Sequence, residues 1–337
     1  MKAAIAAAVG GREVEAPALE EALSTILRGE ASAAQTAALL IALRMKGETA
    51  QEIACAVSVM RKYCIPVELT PKSVLLDTCG TGGDGGHTFN ISTAAALLIA
   101  ACDIPLAKHG NRAASGKTGS ADVLEVLGLN IELSAAQVAR CIETVGIGFM
   151  FARTHHPAMR HVGPIRAELG VRTLFNFLGP LCNPASASHQ VLGVPEPRML
   201  PILANALCAL GGQRAWVVHG HGGLDELSLA GPTRVAQLDS GAVSEFEVTP
   251  EDFGLTTQPN ADLRVNDAES SAAVIRALLR GEKGPARDVV ILNAAAGLCV
   301  AGRGASFLQA ARLAADAIDS GAALGKLSAW IAASQAE

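Results

Sequence analysis

The chain has 337 residues, half of them apolar but only 3% aromatic, and a formal net charge of −5. That length exceeds what one core usually reaches, so one large and one smaller domain are expected, with Ala, Leu, Val and Ile packed thinly enough for helices laid on parallel strands. Arg, Lys, Asp or His interrupts every apolar run before the roughly 20 residues that cross a bilayer, and the acidic balance argues against nucleic acid as the main partner.

The opening MKAAIAAAVGG carries one Lys and about seven apolar residues, the lower limit for a signal peptide, and reads as the start of the first helix. Three helical segments follow without strand-like alternation. The first runs from Pro17 to Arg28, with Pro suiting the opening turn and Gly29 the stop. The second opens on a capping box, Ser32 with Gln35, and continues to Gly47; the third repeats the device with Thr49 and Glu52 and puts Ile53, Val57 and Met60 on one face. Residues 1–70 therefore read as a small all-helical unit.

From Ser73 the pattern changes to strand, glycine-rich loop and helix (SVLLDT, then ISTAAALLIAA). Further strand candidates are Pro105–Lys108, Ile147–Ala152, Gln190–Val194, Arg214–His219 and Val289–Asn293, mostly separated by helical patterns. The expected fold is an α/β domain with a doubly wound, mainly parallel sheet over 73–165 and 189–337, with residues 166–188, rich in helix patterning, returning to the helical unit. The eight cysteines form no CxxC pair and no Cys/His cluster at zinc spacing, which places the chain in a reducing cytoplasm.

Five loops carry chemistry. Residues 79–87, CGTGGDGGH, hold five glycines in seven positions between a strand and a helix. Backbone without side chains can approach an anion and aim several N–H groups at it, and the helix N-terminus adds its positive end. This is a phosphate or pyrophosphate cradle, though neither a Walker loop nor GxGxxG; the alternative is a flexible surface loop. Asn90, Ser92 and Thr93 open the following helix and can add donors or simply cap it. The segment 108–120, KHGNRAASGKTGS, combines Lys108, Arg112 and Lys117 with small residues and suits a sugar phosphate, or is a solvated basic loop. Asp225 and Glu226 follow a strand and a glycine turn, as oxygen ligands for Mg²⁺ shared with phosphates would, or as acids at a helix start. Arg153, His155, His156, Arg160, His161 and Arg166 crowd a fifth segment that can hold an anionic acceptor, or in part are simply surface residues that the sequence does not sort.

The blocks GTGGDGGHTFNIST, KHGNRAASGKTGSADVLEVLG, HHPAMRHVGPIRAELGVRTLFNFLGPLCNPA and GLDELSLAGPT resemble the anthranilate phosphoribosyltransferase family in order and spacing over nearly the whole chain. The resemblance implies a nucleoside phosphorylase-like phosphoribosyltransferase fold, a homodimer formed through the helical domains, and transfer of phosphoribosyl from phosphoribosyl pyrophosphate (PRPP) to anthranilate without an essential general base. It implies that Gly80, Gly82, Gly83, Asp84, Thr88, Asn90, Ser92, Thr93, Lys108, Ser115 and Gly116 bind PRPP. Ser92, Asp225 and Glu226 would hold two Mg²⁺ ions, and Gly80, His109, Asn111, His156 and Arg166 would bind anthranilate. Three positions depart from the family pattern: Gly116 stands where a Ser is frequent, Arg153 where a Pro is common, and Gly222 where an Asp is usual. A nucleoside phosphorylase of the same fold and a nucleic-acid-binding relative are the rival readings; the intact KHGNR and GLDE blocks and the acidic charge favour PRPP.

Overall fold

The computed structural model describes residues 1–83, 88–113 and 117–336. Asp84, Ser115 and Gly116 lie outside them. The chain opens with four helices, α1 (Lys2–Val9), α2 (Ala16–Leu27), α3 (Ala33–Lys46) and α4 (Ala50–Lys62). The N-terminal apolar run is thus a helix of its own rather than the start of the next, because Gly10 and Gly11 end it, Gly11 with φ +69°. Both capping boxes form: Ser32 Oγ accepts from Gln35 N at 3.2 Å, and Thr49 Oγ1 from Glu52 N at 3.1 Å.

The second part is a seven-stranded sheet of β1 (Leu76–Gly80), β2 (Leu106–Gly110), β3 (Ile147–Phe151), β4 (His189–Gly193), β5 (Arg214–His219), β6 (Thr233–Asp239) and β7 (Ala242–Val248). The order is β3-β2-β1-β4-β5-β6-β7. The first five strands pair in parallel, with Leu76 opposite His189 and His189 opposite Arg214; β6 and β7 add an antiparallel edge. The edge hairpin escapes the sequence reading although its signal is present: RVAQLD and AVSEFEV flank Ser240-Gly241, both with positive φ (52° and 88°), as a two-residue hairpin turn requires.

Helices cover both faces. They are α5 (Ile91–Ala101), α6 (Ser120–Leu127), α7 (Ala135–Thr144), α8 (Ala152–His155), α9 (Gly163–Leu169), α10 (Phe175–Leu181), α11 (Met199–Ala209), α12 (Ala268–Leu279), α13 (Pro285–Val300), α14 (Phe307–Asp319) and α15 (Ala322–Gln335). Alternation along the strands sends Trp216 and Val218 into one apolar core with α5 and α13 to α15, and Ala215 and Val217 into another with α11, α10 and the N-terminal helices. The strand expected at Val289–Asn293 is instead the middle of α13. A short apolar run cannot distinguish a buried strand from a buried helix, and α13 is apolar almost all round because α5, α14 and the sheet enclose it. Segment 163–181 packs α9 on α3 and α10 on α4.

One buried carboxylate holds the helical start together. Glu52 accepts from Val14 N at 2.9 Å and Thr49 N at 3.0 Å, and pairs with Lys46 Nζ at 2.8 Å, the two side chains being 1% and 6% exposed. Removing one partner strands the other ion and two amides. Glu52→Ala is expected to cost about 3–5 kcal/mol in urea unfolding, with Glu52→Gln losing less because its single amide oxygen can keep one of the two backbone contacts.

Candidate functional site

A cleft of about 410 Å³ opens at the C-terminal ends of β1 and β2, where an open α/β sheet usually binds its ligand. Its floor is the glycine loop. Gly82 and Gly83 take φ of +66° and +87°, which favour glycine. A Cβ on Gly80 would overlap the Asp225 carboxylate, and one on Gly193, at the end of β4, would overlap the Asp225 carbonyl. Glycine at these two strand ends is therefore what lets the 225–226 segment lie across the sheet edge. Asp225 Oδ2 accepts from Gly82 N at 2.9 Å, and Glu226 Oε1 from Ser92 N at 3.2 Å in the first turn of α5. The acid pair sits in the loop after β5 and not at a helix start.

Lys108, on β2 and 1% exposed, reaches under this loop to donate to Thr78 O and, at 3.3 Å, to Ser92 Oγ. Asn90 occupies the N-cap position of α5, yet its side chain does not cap the helix: it accepts from Ser271 Oγ at 2.8 Å and Thr118 Oγ1 at 3.1 Å, so it ties two loops at the cleft wall. Thr88 and Asn111 line the same cleft. Thr93 does not. It is buried in α5, and its Oγ1 has no hydrogen-bond partner among the described residues. The basic segment is partly self-neutralised, since Arg112 bonds Asp122 at 2.9 Å as well as Glu125, and Lys117 donates to Asn266. Only Lys108 of its three cations is buried at the cleft base.

The opposite wall comes from segment 152–180. His109 N donates to Asp77 Oδ1 at 3.2 Å, and His109 Nδ1 lies 2.9 Å from Gly179 O. A carbonyl only accepts, so Nδ1 carries the proton and Nε2 presents a lone pair. That Nε2 is buried and has no partner among the described residues. His156 lies behind the lining, its ring 5.0 Å from that of His109. Arg166 and Arg172 both face the cleft. The remaining candidates separate by burial: His155 is structural, with Nδ1 2.9 Å from Ile65 O, whereas Arg153 and Arg160 are exposed and outside the lining.

Arg172 and Asn183 escape the sequence reading. Arg172 donates to Thr81 O and Gly82 O, and Asn183 Nδ2 donates to Asp77 Oδ2 and Ala107 O, both at 2.8 Å. Their partners lie ninety or more positions away in the first case and more than seventy in the second, beyond any local pattern.

Two family models match, "Glycosyl transferase family, helical bundle domain" over residues 2–64 and "Glycosyl transferase family, a/b domain" over residues 72–324. The chain is 53% identical over 312 residues to an anthranilate phosphoribosyltransferase of Polynucleobacter necessarius, covering 93% of this chain and 92% of the relative. It is 50% identical to that of Rubrobacter xylanophilus, covering 99% and 98%. Among solved structures, anthranilate phosphoribosyltransferase from Thermus thermophilus superposes with a TM-score of 0.94 at 45% identity, covering 99% and 100% of the two chains. The enzyme from Saccharomyces cerevisiae in complex with PRPP and Mg superposes at 0.86, with 29% identity and coverage of 95% and 93%.

Burial sets the charge state of the imidazoles. It lowers the His156 pKa to about 4 and that of His109 well below 6.5, with each disfavoured further by a neighbouring histidine. Both are neutral near neutral pH. In the unfolded chain they protonate near 6.5, so between about 6.5 and 4 the unfolded state binds more protons and stability falls as pH falls. Asp77 acts in the opposite sense: burial raises it from 3.8 to about 6, so its contribution weakens as pH rises through that window. His156→Gln is expected to flatten the acid limb of the stability profile by up to about 1.4 kcal/mol per pH unit, read by urea unfolding at stepped pH; an unchanged slope would show that His156 keeps an ordinary pKa.

Proposed function

The chain belongs to the anthranilate phosphoribosyltransferase family, and we propose that this cleft is where it transfers the 5-phosphoribosyl group of PRPP to the amine of anthranilate, releasing pyrophosphate, a step of tryptophan biosynthesis. The observation that carries this reading is the convergence, at one sheet edge, of the glycine loop, the α5 N-terminus and the Asp225–Glu226 pair, with Arg166 on the facing wall. A diphosphate needs close backbone donors and positive dipole ends, and an aromatic carboxylate needs a cation across from it.

In this reading the backbone of Gly80, Gly82 and Gly83 holds the pyrophosphate, joined by Asp84, Thr88, Asn90, Ser92, Lys108, Ser115 and Gly116, with Thr93 supporting from behind. The oxygens of Ser92, Asp225 and Glu226 fit Mg²⁺. Two carboxylates and a hydroxyl are too few to cage a cation alone, and Mg²⁺ ordinarily completes its shell with water and substrate phosphate. These residues would hold two ions, which when bound supply neutralising charge to the departing diphosphate.

Arg166 meets the anthranilate carboxylate and, with Gly80 and Asn111 around the pocket and His156 behind it, sets the amine against the ribose. The C1–oxygen bond to pyrophosphate breaks as the amine nitrogen forms its bond to C1, and the surplus proton leaves the nitrogen afterwards. His109 Nε2 can accept an amine N–H hydrogen bond and so orient the lone pair. Its depressed pKa makes it a weak base, which fits a nucleophile needing position rather than deprotonation.

We further read residues 1–70 with 166–188 as the helical domain, and 73–165 with 189–337 as the PRPP-binding domain, supported by the packing of α9 and α10 on α3 and α4. A homodimer through the helical domain is supported by exposed apolar side chains there, Met45 at 83% and Val9 at 72%. The eight cysteines are free thiols, as suits a cytoplasmic protein, and no described helix is long and apolar enough to cross a membrane.

Loss of anthranilate fluorescence on adding PRPP and Mg²⁺ tests the reaction. An Asp225→Asn/Glu226→Gln double variant is expected to be slower by about a hundredfold or more, whereas His109→Ala should lose much less than a thousandfold in turnover; a larger loss with binding intact would make His109 a general base. For the dimer, sedimentation velocity at micromolar concentration is expected to give a two-chain species, and a monomer would remove that proposal.

A further inference from the structure

Arg172 lies on the crossover between α9 and α10, six residues beyond Arg166, and faces the cleft with its side chain half-buried. Nη1 donates to the carbonyl of Gly82 and Nη2 to that of Thr81, at 3.5 Å. Its guanidinium also lies over the ring of Phe177, 5.8 Å from the centroid, which fixes its plane. A Cβ on Gly83 would overlap Nη1, so the bare glycine at 83 is what makes room for this side chain. Asp225 and Glu196 both attract it.

We propose that Arg172 is a positioning residue for the pyrophosphate loop, holding the 81–82 and 82–83 peptide groups in the one orientation that turns their N–H groups toward the acid pair and the anion. The proposal rests on the transfer reading above. Its physical basis is peptide planarity: in a trans peptide the C=O of one residue and the N–H of the next point in opposite directions. With both carbonyls drawn to one guanidinium, the N–H groups of Gly82 and Gly83 must point away from it. The first already does so, donating to Asp225 Oδ2 at 2.9 Å. Glycines with positive φ are the backbone units least able to hold such an orientation unaided, because both peptide flanks can rotate at little cost. The planar fork of Arg, donating to two adjacent carbonyls, supplies the constraint that glycine lacks. Because α9, immediately before this crossover, carries Arg166, the wall expected to grip the acceptor is also the wall that sets the donor loop.

The test is steady-state kinetics of Arg172→Ala and Arg172→Lys with each substrate varied, beside calorimetric titration with pyrophosphate and Mg²⁺. Loss of charge-assisted hydrogen bonds predicts a rise of about ten- to hundredfold in the KM for PRPP and in the Kd for pyrophosphate. The KM for anthranilate should stay within about twofold and the thermal midpoint within a few degrees, since a half-buried side chain is removed rather than a core one. Lysine should restore little, because an ammonium cannot reproduce the fork. Millimolar methylguanidine should recover part of the Ala variant's PRPP affinity. A Gly83→Ala change should cost clearly less in the Arg172→Ala background than in the wild type, because only there is the overlap with Nη1 gone. Unchanged KM for PRPP and unchanged pyrophosphate affinity, or a loss shared equally by both substrates and by stability, would overturn the proposal. Wild-type protein that binds pyrophosphate without turning over would instead overturn the transfer reading, and the pyrophosphate titration of the variants would still decide the role of Arg172.

Discussion

Asp77 is a carboxylate with no exposure to solvent, placed one residue into β1 directly beneath the cleft. Its oxygens accept from the His109 backbone on β2 and from Asn183 just past α10, and it faces the charge of Lys108. Three stretches of chain are thereby tied to one group: the strand that leads into the glycine loop, the strand that carries Lys108 and His109, and the end of the segment that brings Arg166 and Arg172 to the facing wall. A buried carboxylate is costly unless its acceptor capacity is used, so the pieces around it are held in register by the need to satisfy it.

Above that anchor, the site depends on close approach. The sheet edge carries glycine at the ends of β1 and β4, and the 225–226 segment lies so near that either position would refuse a Cβ. The acids consequently reach backbone amides of the glycine loop and the first turn of α5 directly. Negative charge is concentrated over the donors, while the cations Lys108, Arg166 and Arg172 stand below and across.

The facing wall contributes neutrality as much as charge. His109 and His156 are kept uncharged by burial and, less strongly, by a neighbouring histidine, His156 for the first and His155 for the second, so the wall beside Arg166 is polar without adding further cations. The transfer then relies on placement, which the two cores provide: one packs α5 and α13 behind the glycine loop, and the other joins the N-terminal helices to α10 and α11.

Much of this was legible in the chain itself. Capping boxes at Ser32 and Thr49, the glycine run after a strand, the stretch around Lys108 and the Asp225–Glu226 pair are local, and local chemistry is written in neighbouring residues. Arg214–His219 is readable as a strand for the same reason, whereas VVILN at 289–293 is not, because its burial on all sides comes from α5, α14 and the sheet rather than from its own periodicity. What only the tertiary structure decided is who meets whom: that Arg112 turns back to Asp122 and Glu125, that Asn90 braces two loops instead of capping α5, and that Arg172 crosses some ninety positions to hold the carbonyls of Thr81 and Gly82. Those pairings are set by the packing of distant elements against a shared sheet edge, and a sequence carries no separate local signal for them.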